Sequence, residues 1–111
     1  MAEEYEVKIT SQANEQMLEI LRYIASELKA PDTALRLLDT LETAILSLAR
    51  MPKSIALTAE EPWRSYGIHR MPVKNYLVYF WIDEDSHKVQ VTSVVYGKRD
   101  QVRQLSQMNM E

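Results

Sequence analysis

The sequence predicts an α+β domain: a small twisted, mainly antiparallel sheet packed on an N-terminal helical hairpin. The predicted order is β-α-α-β-β-β with a short C-terminal helical turn. Three observations carry this. Residues 76–82 (YLVYFWI) form an unbroken aromatic and aliphatic run of strand length and strand composition. Two apolar stripes at helical spacing precede it, and a polar loop of hairpin length follows it.

In chain order, residues 4–9 alternate strictly, with Tyr5, Val7 and Ile9 on one side and charge on the other. That is a half-exposed first strand. Thr10 or Ser11 then offers an N-cap. Ala13, Met17, Ile20, Leu21, Ile24 and Leu28 line one face of a helix of about 18 residues, with Tyr23 at its margin. Pro31 suits the first turn of a second helix. Its stripe runs through Ala34, Leu37, Leu38, Leu41, Ala44, Ile45 and Leu48, and it ends before Met51-Pro52. So short a connection makes the helices an antiparallel pair.

Residues 52–63 show no period and read as a loop. Residues 66–73 read as a strand, with Lys74-Asn75 as the turn and Pro72 marking an edge or an interruption. The apolar run follows, then the polar turn 83–87, then residues 88–96, which alternate and become mostly apolar. This hairpin is expected to be buried on both faces over part of its length. Asp100 can cap one or two helical turns over residues 101–105. The first strand is expected to join the sheet, since alone it leaves its backbone groups without partners.

Composition narrows the function classes. With 111 residues the chain is one domain. It has no cysteine, hence no disulfide, thiol nucleophile or thiolate metal site, and two histidines alone do not make a zinc site. No cofactor is implied. No apolar run reaches 18 residues, and the acidic N-terminus lacks a signal-peptide pattern, which predicts a cytoplasmic chain. Net charge is −3, divided into −5 over residues 1–61 and +2 over residues 62–111. This overall acidity argues against extensive phosphate contact.

The element order, residues 5–10 (YEVKIT), residues 48–52 (LARMP) and the ordered set Arg70, Val73, Asn75, Tyr76, Val78, Phe80, Ile82-Asp83 and residues 94–100 (VVYGKRD) resemble the RelE/ParE superfamily. These are toxins of bacterial type II toxin–antitoxin modules. The likeness extends over residues 4–105. It implies a growth-inhibiting toxin held inactive by an antitoxin in a hetero-oligomer. RelE-like members cleave mRNA on the ribosome, ParE-like members poison DNA gyrase without nuclease chemistry, and a degenerate member would bind antitoxin with little toxicity.

For cleavage, the resemblance assigns catalytic roles to Arg70, Tyr96, Lys98 and Arg99. Such chemistry needs a base for the 2′-hydroxyl, an acid for the leaving oxygen and fixed positive charge for the phosphorane. Arg70 suits the last role by charge and geometry. The plainer alternatives are a cross-strand ion pair for Arg70 and strand-end packing for Tyr96, whose ordinary pKa of about 10 needs strong tuning for acid work. No Glu–His pair is evident: His87 falls in a polar turn, and His69 and Arg70, as strand neighbours, face opposite ways. In a ParE-like protein, Trp63, Tyr66, Met71 and Trp81 are candidates for a protein-binding surface, with core packing as the alternative for each.

Overall fold

The computed structural model describes residues 4–97. Strand β1 (Glu6–Ile9) leads into helix α1 (Ser11–Arg22), which continues as a π-helical segment (Tyr23–Glu27) before helix α2 (Pro31–Ser47). A 3-10 turn (Pro52–Ser54) and an irregular segment then reach the meander β2 (His69–Val73), β3 (Tyr76–Asp83) and β4 (Lys88–Tyr96). Among the described residues these make one four-stranded sheet in the order β1-β4-β3-β2. The two hairpin pairings are antiparallel, and β1 lies parallel to β4. Strand β4 is therefore interior, and β1 does join the sheet as expected.

Thr10 is the N-cap: its hydroxyl accepts from the Ala13 amide at 3.2 Å. Pro31 opens α2 as its fixed φ favours. The apolar stripes meet the sheet as predicted, with Ala13, Met17, Leu41, Ile45 and Leu48 buried against Met71, Val73, Val78, Phe80, Val89, Val91 and Val94. Truncating a core leucine such as Leu41 costs about 2–5 kcal/mol.

Two sequence expectations require correction. The first helix is not one continuous 18-residue α-helix, because the Leu28 amide donates to the Tyr23 carbonyl at 3.2 Å, an i→i+5 bond. The extra residue per turn shifts the phase of the stripe. Tyr23 and Leu28 are left more than half exposed, at 55% and 56%. Strand β2 begins at His69 and not at Tyr66, since residues 60–67 coil into turns. The Tyr66 amide donates to the Pro62 carbonyl there, and Gly67 adopts a positive φ of 81°. Of the two readings open for Met71, the packing one holds, since it is buried in the main core.

The β3–β4 pairing contains a bulge: Tyr79 pairs with Ser93 and Phe80 with Val91, which makes Thr92 the extra residue on β4. The side chain of Gln16 on α1 ties this irregular stretch to the helix layer. Its carbonyl oxygen accepts from the Val94 amide at 2.8 Å and from the Ser93 hydroxyl at 3.0 Å. Replacing Gln16 with leucine keeps the helix but leaves a buried strand amide without that acceptor. The expected loss is about 1–3 kcal/mol with the fold retained. Urea unfolding of the variant checks it, and an unchanged midpoint would show the tie to be dispensable.

Candidate functional site

The sheet has two differently furnished faces. Residues directly opposite in an antiparallel pair share a face, and successive residues alternate. Tyr76, Val78 and Phe80 pack with the helix-side core. Leu77 and Tyr79 pack on the far side with Ile68 and Val95, joined by half-buried Trp63 and Trp81. Arg70 is opposite Tyr79 and so belongs to the far face, whereas Tyr96 is opposite Tyr76 and belongs to the helix face. The sheet thus separates two of the four residues to which catalysis was assigned. The other two, Lys98 and Arg99, lie outside the described residues, as does the expected C-terminal turn.

The far face is covered by a strap, residues 55–67. Its first part lies along the outer edge of β2. The Thr58 amide donates to the Ile68 carbonyl at 2.8 Å, the Arg70 amide donates to the Ala56 carbonyl at 3.1 Å, and Leu57 forms a bridge with His69. Pro72, which lacks an amide hydrogen, falls on this same edge strand beyond the strap, where no donor is needed. The His69 ring donates from Nδ1 to the Ile55 carbonyl at 2.7 Å and stacks on Phe80 at 5.0 Å. His69 therefore holds the strap to the sheet, in keeping with an ordinary edge histidine.

Farther along, Trp63 seats on the far-side cluster, with Tyr66 edge-on to it at 6.0 Å. The Thr58 hydroxyl donates to the Glu60 carboxylate, and Arg64 reaches the Thr58 carbonyl at 3.3 Å. Beneath lie Tyr79, fully buried, and Trp81. Burial pushes the Tyr79 phenol up, the Glu60 carboxylate adds to the shift, and the facing Arg70 guanidinium opposes it. Tyr79 thus keeps its proton throughout the physiological range.

On the helix face an open groove of about 730 Å³ runs between the helices and the ends of β3 and β4. Gln16, Ile20, Tyr23, Leu28, Tyr76 and Tyr96 line it. The rings of Tyr76 and Tyr96 lie 5.5 Å apart, and burial followed by the Tyr96 hydroxyl raises the Tyr76 pKa. Tyr96 therefore sits beside another phenol that holds its proton. The exit from β4 is tight at Gly97. Its amide donates to the Asn75 carbonyl at 2.8 Å, and an added Cβ would meet Leu77 at 3.1 Å. A side chain there would require the Leu77 side chain and the Asn75 carbonyl to give way slightly. Periodicity flagged Tyr23 and Leu28 as helix residues but could not show that a π segment turns them into groove walls.

A third cluster stands at the sheet's other end. The Tyr5 hydroxyl donates to Glu84 Oε1 at 2.9 Å, Lys53 Nζ lies 2.6 Å from Glu84 Oε2, and His87 stacks on Tyr5 at 4.0 Å. His87 does occupy the β3–β4 turn, with a positive φ of 59°, but its ring is half-buried against Tyr5. No group of three or more metal-ligating side chains occurs among the described residues. Among those residues, no helix is long and apolar enough to cross a membrane.

The family model for the ParE toxin of the type II toxin–antitoxin system parDE matches residues 7–101. No curated protein matches the sequence significantly. Among solved structures, the chain is similar to one from the chromosomal ParDE toxin–antitoxin system of P. aeruginosa. The TM-score is 0.68 at 16% identity, over 83% of this chain and 95% of that one. It is also similar to a chain of the RelBE2 toxin–antitoxin complex of Mycobacterium tuberculosis, with a TM-score of 0.60 at 17% identity over 85% and 92%.

The Tyr5–Glu84–Lys53 cluster carries a pH expectation. Lys53, then Tyr5, hold the Glu84 carboxyl below its ordinary value. A carboxylate depressed in the folded state contributes stability that is complete above the unfolded-state pKa. That contribution disappears as pH falls through the folded pKa. Both side chains are more than half exposed, so the effect is small. Glu84→Gln should therefore flatten the acid limb of the stability profile slightly, as thermal melts across the carboxylate range would show. A steeper acid limb in the variant would contradict the assignment. The matched segment and the shared fold lead to one conclusion: the chain belongs to the ParE toxin family of type II toxin–antitoxin systems, within the wider RelE/ParE superfamily.

Proposed function

We propose that this chain is a growth-inhibiting toxin that acts in the ParE manner, by seizing a protein target such as DNA gyrase, and does not cut RNA. The observation that carries the reading is the separation of Arg70 from Tyr96 by the sheet. A general acid and a phosphate-holding cation must converge on one scissile bond, with reacting atoms within hydrogen-bond reach. Groups on opposite faces do not meet that condition. The strap supports the same reading, because it occupies the face on which Arg70 would meet a phosphate. The net charge of −3 adds to it, since RNA-directed surfaces are built on basic excess.

In this reading Arg70 serves the far face structurally, across from Tyr79, and Tyr96 is a wall of the groove. Lys98 and Arg99 then supply charge to a protein-binding segment that follows β4. The cognate antitoxin is the partner in the resting state. The groove's exposed Tyr23, Leu28 and Tyr96 suit the apolar stripe of an amphipathic helix, the mode by which such grooves take peptides.

Inducible expression in a bacterium tests the proposal, with mRNA integrity, translation and the DNA-damage response followed together. Filamentation with a DNA-damage response and intact mRNA is the expected result, and the Tyr96→Phe variant should keep full toxicity. Purified toxin should inhibit gyrase supercoiling in the same dose range. Messages cut within codons, with cleavage lost in soluble Arg70→Ala, would overturn the proposal and establish ribosome-dependent RNA cleavage instead.

A further inference from the structure

The far face under the strap contains a feature that neither the family nor the proposed function accounts for. Two buried polar groups, the Tyr79 hydroxyl and the Trp81 indole N–H, have no hydrogen-bond acceptor among the described residues, the facing Arg70 guanidinium being able only to donate to the phenol oxygen. They sit two residues apart on the same face of β3. Both need an acceptor: an indole N–H only donates, and a protonated phenol has one proton to place. What surrounds them is short of acceptors. Arg70, the cross-strand neighbour of Tyr79, carries donors alone. Glu60 is the nearby carboxylate, and its Oε1 already receives the Thr58 hydroxyl. Buried donors without acceptors are rare and destabilise the arrangement that buries them.

The strap that buries them is lightly fastened. Its apolar anchors are Trp63, itself only half-buried, on a cluster of four buried side chains, and half-buried Ile55 at the margin of the main core. Tyr66 beside Trp63 is 59% exposed. Its sheet-side attachment consists of the bonds from Thr58 and Arg70, the Leu57 bridge and the His69 ring. Satellite clusters under long connections are where local opening starts, because few apolar contacts resist it.

We propose that residues 55–67 form a displaceable cover over the Arg70 face, biased toward opening by the two buried donors that find acceptors only when the strap lifts. Closed, the cover is held by Trp63 and the β2 edge bonds. Open, the phenol and the indole reach water, and Arg70, Tyr79 and Trp81 become accessible together. The cover belongs to the fold itself and would operate whether the toxin's target is protein or RNA.

Amide hydrogen exchange resolved by NMR tests this on the intact chain, because the Thr58 and Arg70 amides report closure directly. They should exchange faster than the central sheet amides of Val78 and Val94, showing that the strap opens without global unfolding. Tyr79→Phe deletes the hydroxyl whose proton has no acceptor and keeps the ring. It should slow exchange at Thr58 and Arg70 about fivefold or more, the reverse of what removing a useful polar group does. Trp63→Ala should speed those two amides and leave the sheet centre protected. The proposal is overturned if Thr58 and Arg70 exchange at the rate of the sheet centre in the unmodified chain. It is equally overturned if Tyr79→Phe accelerates them, since the phenol would then be fastening the strap.

Discussion

The structure depends on covering β4 from both sides. From Val91 to Val95 every residue is buried, without the polar alternation that would let one face meet water. A strand of that composition is stable only between two layers. The helices supply one, packing Met17, Leu41, Ile45 and Leu48 against Val91 and Val94. The far layer is thinner: a strap whose Trp63 meets Ile68, Leu77, Tyr79 and Val95. The parallel addition of β1 pairs β4's outer edge from Lys88 to Val91, which makes β4 an interior strand of the sheet.

The asymmetry of these layers explains why the two faces differ chemically. On the helix side the polar groups are satisfied. The Val94 amide and Ser93 hydroxyl find Gln16, and the Thr10 hydroxyl reaches the Thr92 carbonyl at 3.4 Å. On the strap side the covering segment is short and irregular, and its two carboxylates are engaged within it, Glu60 with Thr58 and Glu61 with Ser65. Two aromatic donors are left without acceptors there among the described residues. A well-packed layer fixes geometry, whereas a thin one leaves energy that a conformational change can release.

Much of this was legible in the sequence, for reasons of periodicity. The order of elements, the Thr10 cap, the Pro31 start and both helical stripes follow from spacings of three and four, and the fold bears them out. The misreadings share a cause: they turn on hydrogen bonds that a hydropathy pattern does not encode. Leu28 continues the α1 stripe on paper, yet the i→i+5 bond to Tyr23 rotates it into the groove. Tyr66 extends an apparent strand, but its amide turns back to Pro62 and Trp63. Whether Arg70 and Tyr96 share a face depends on cross-strand register, which the sequence leaves open until the Lys74-Asn75 turn and the bulge at Thr92 are known.

That register matters most for function, because this fold is compatible with more than one toxic mechanism and the scaffold alone does not choose between them. What differs is which face is available and what stands on it. Here the face with the arginine is occupied by the strap, and the face with the open groove has tyrosines and aliphatic side chains along its walls. A nucleophile-activating site needs convergent charge in a water-poor cleft. A protein-docking site needs exposed aromatic and aliphatic surface that a partner can desolvate. Among the described residues, the groove beside Tyr23, Leu28 and Tyr96 offers surface of the second kind. The proposed target-seizing reading therefore rests on which side of β4 is covered: the strap lies over the arginine face, and the groove face stays open.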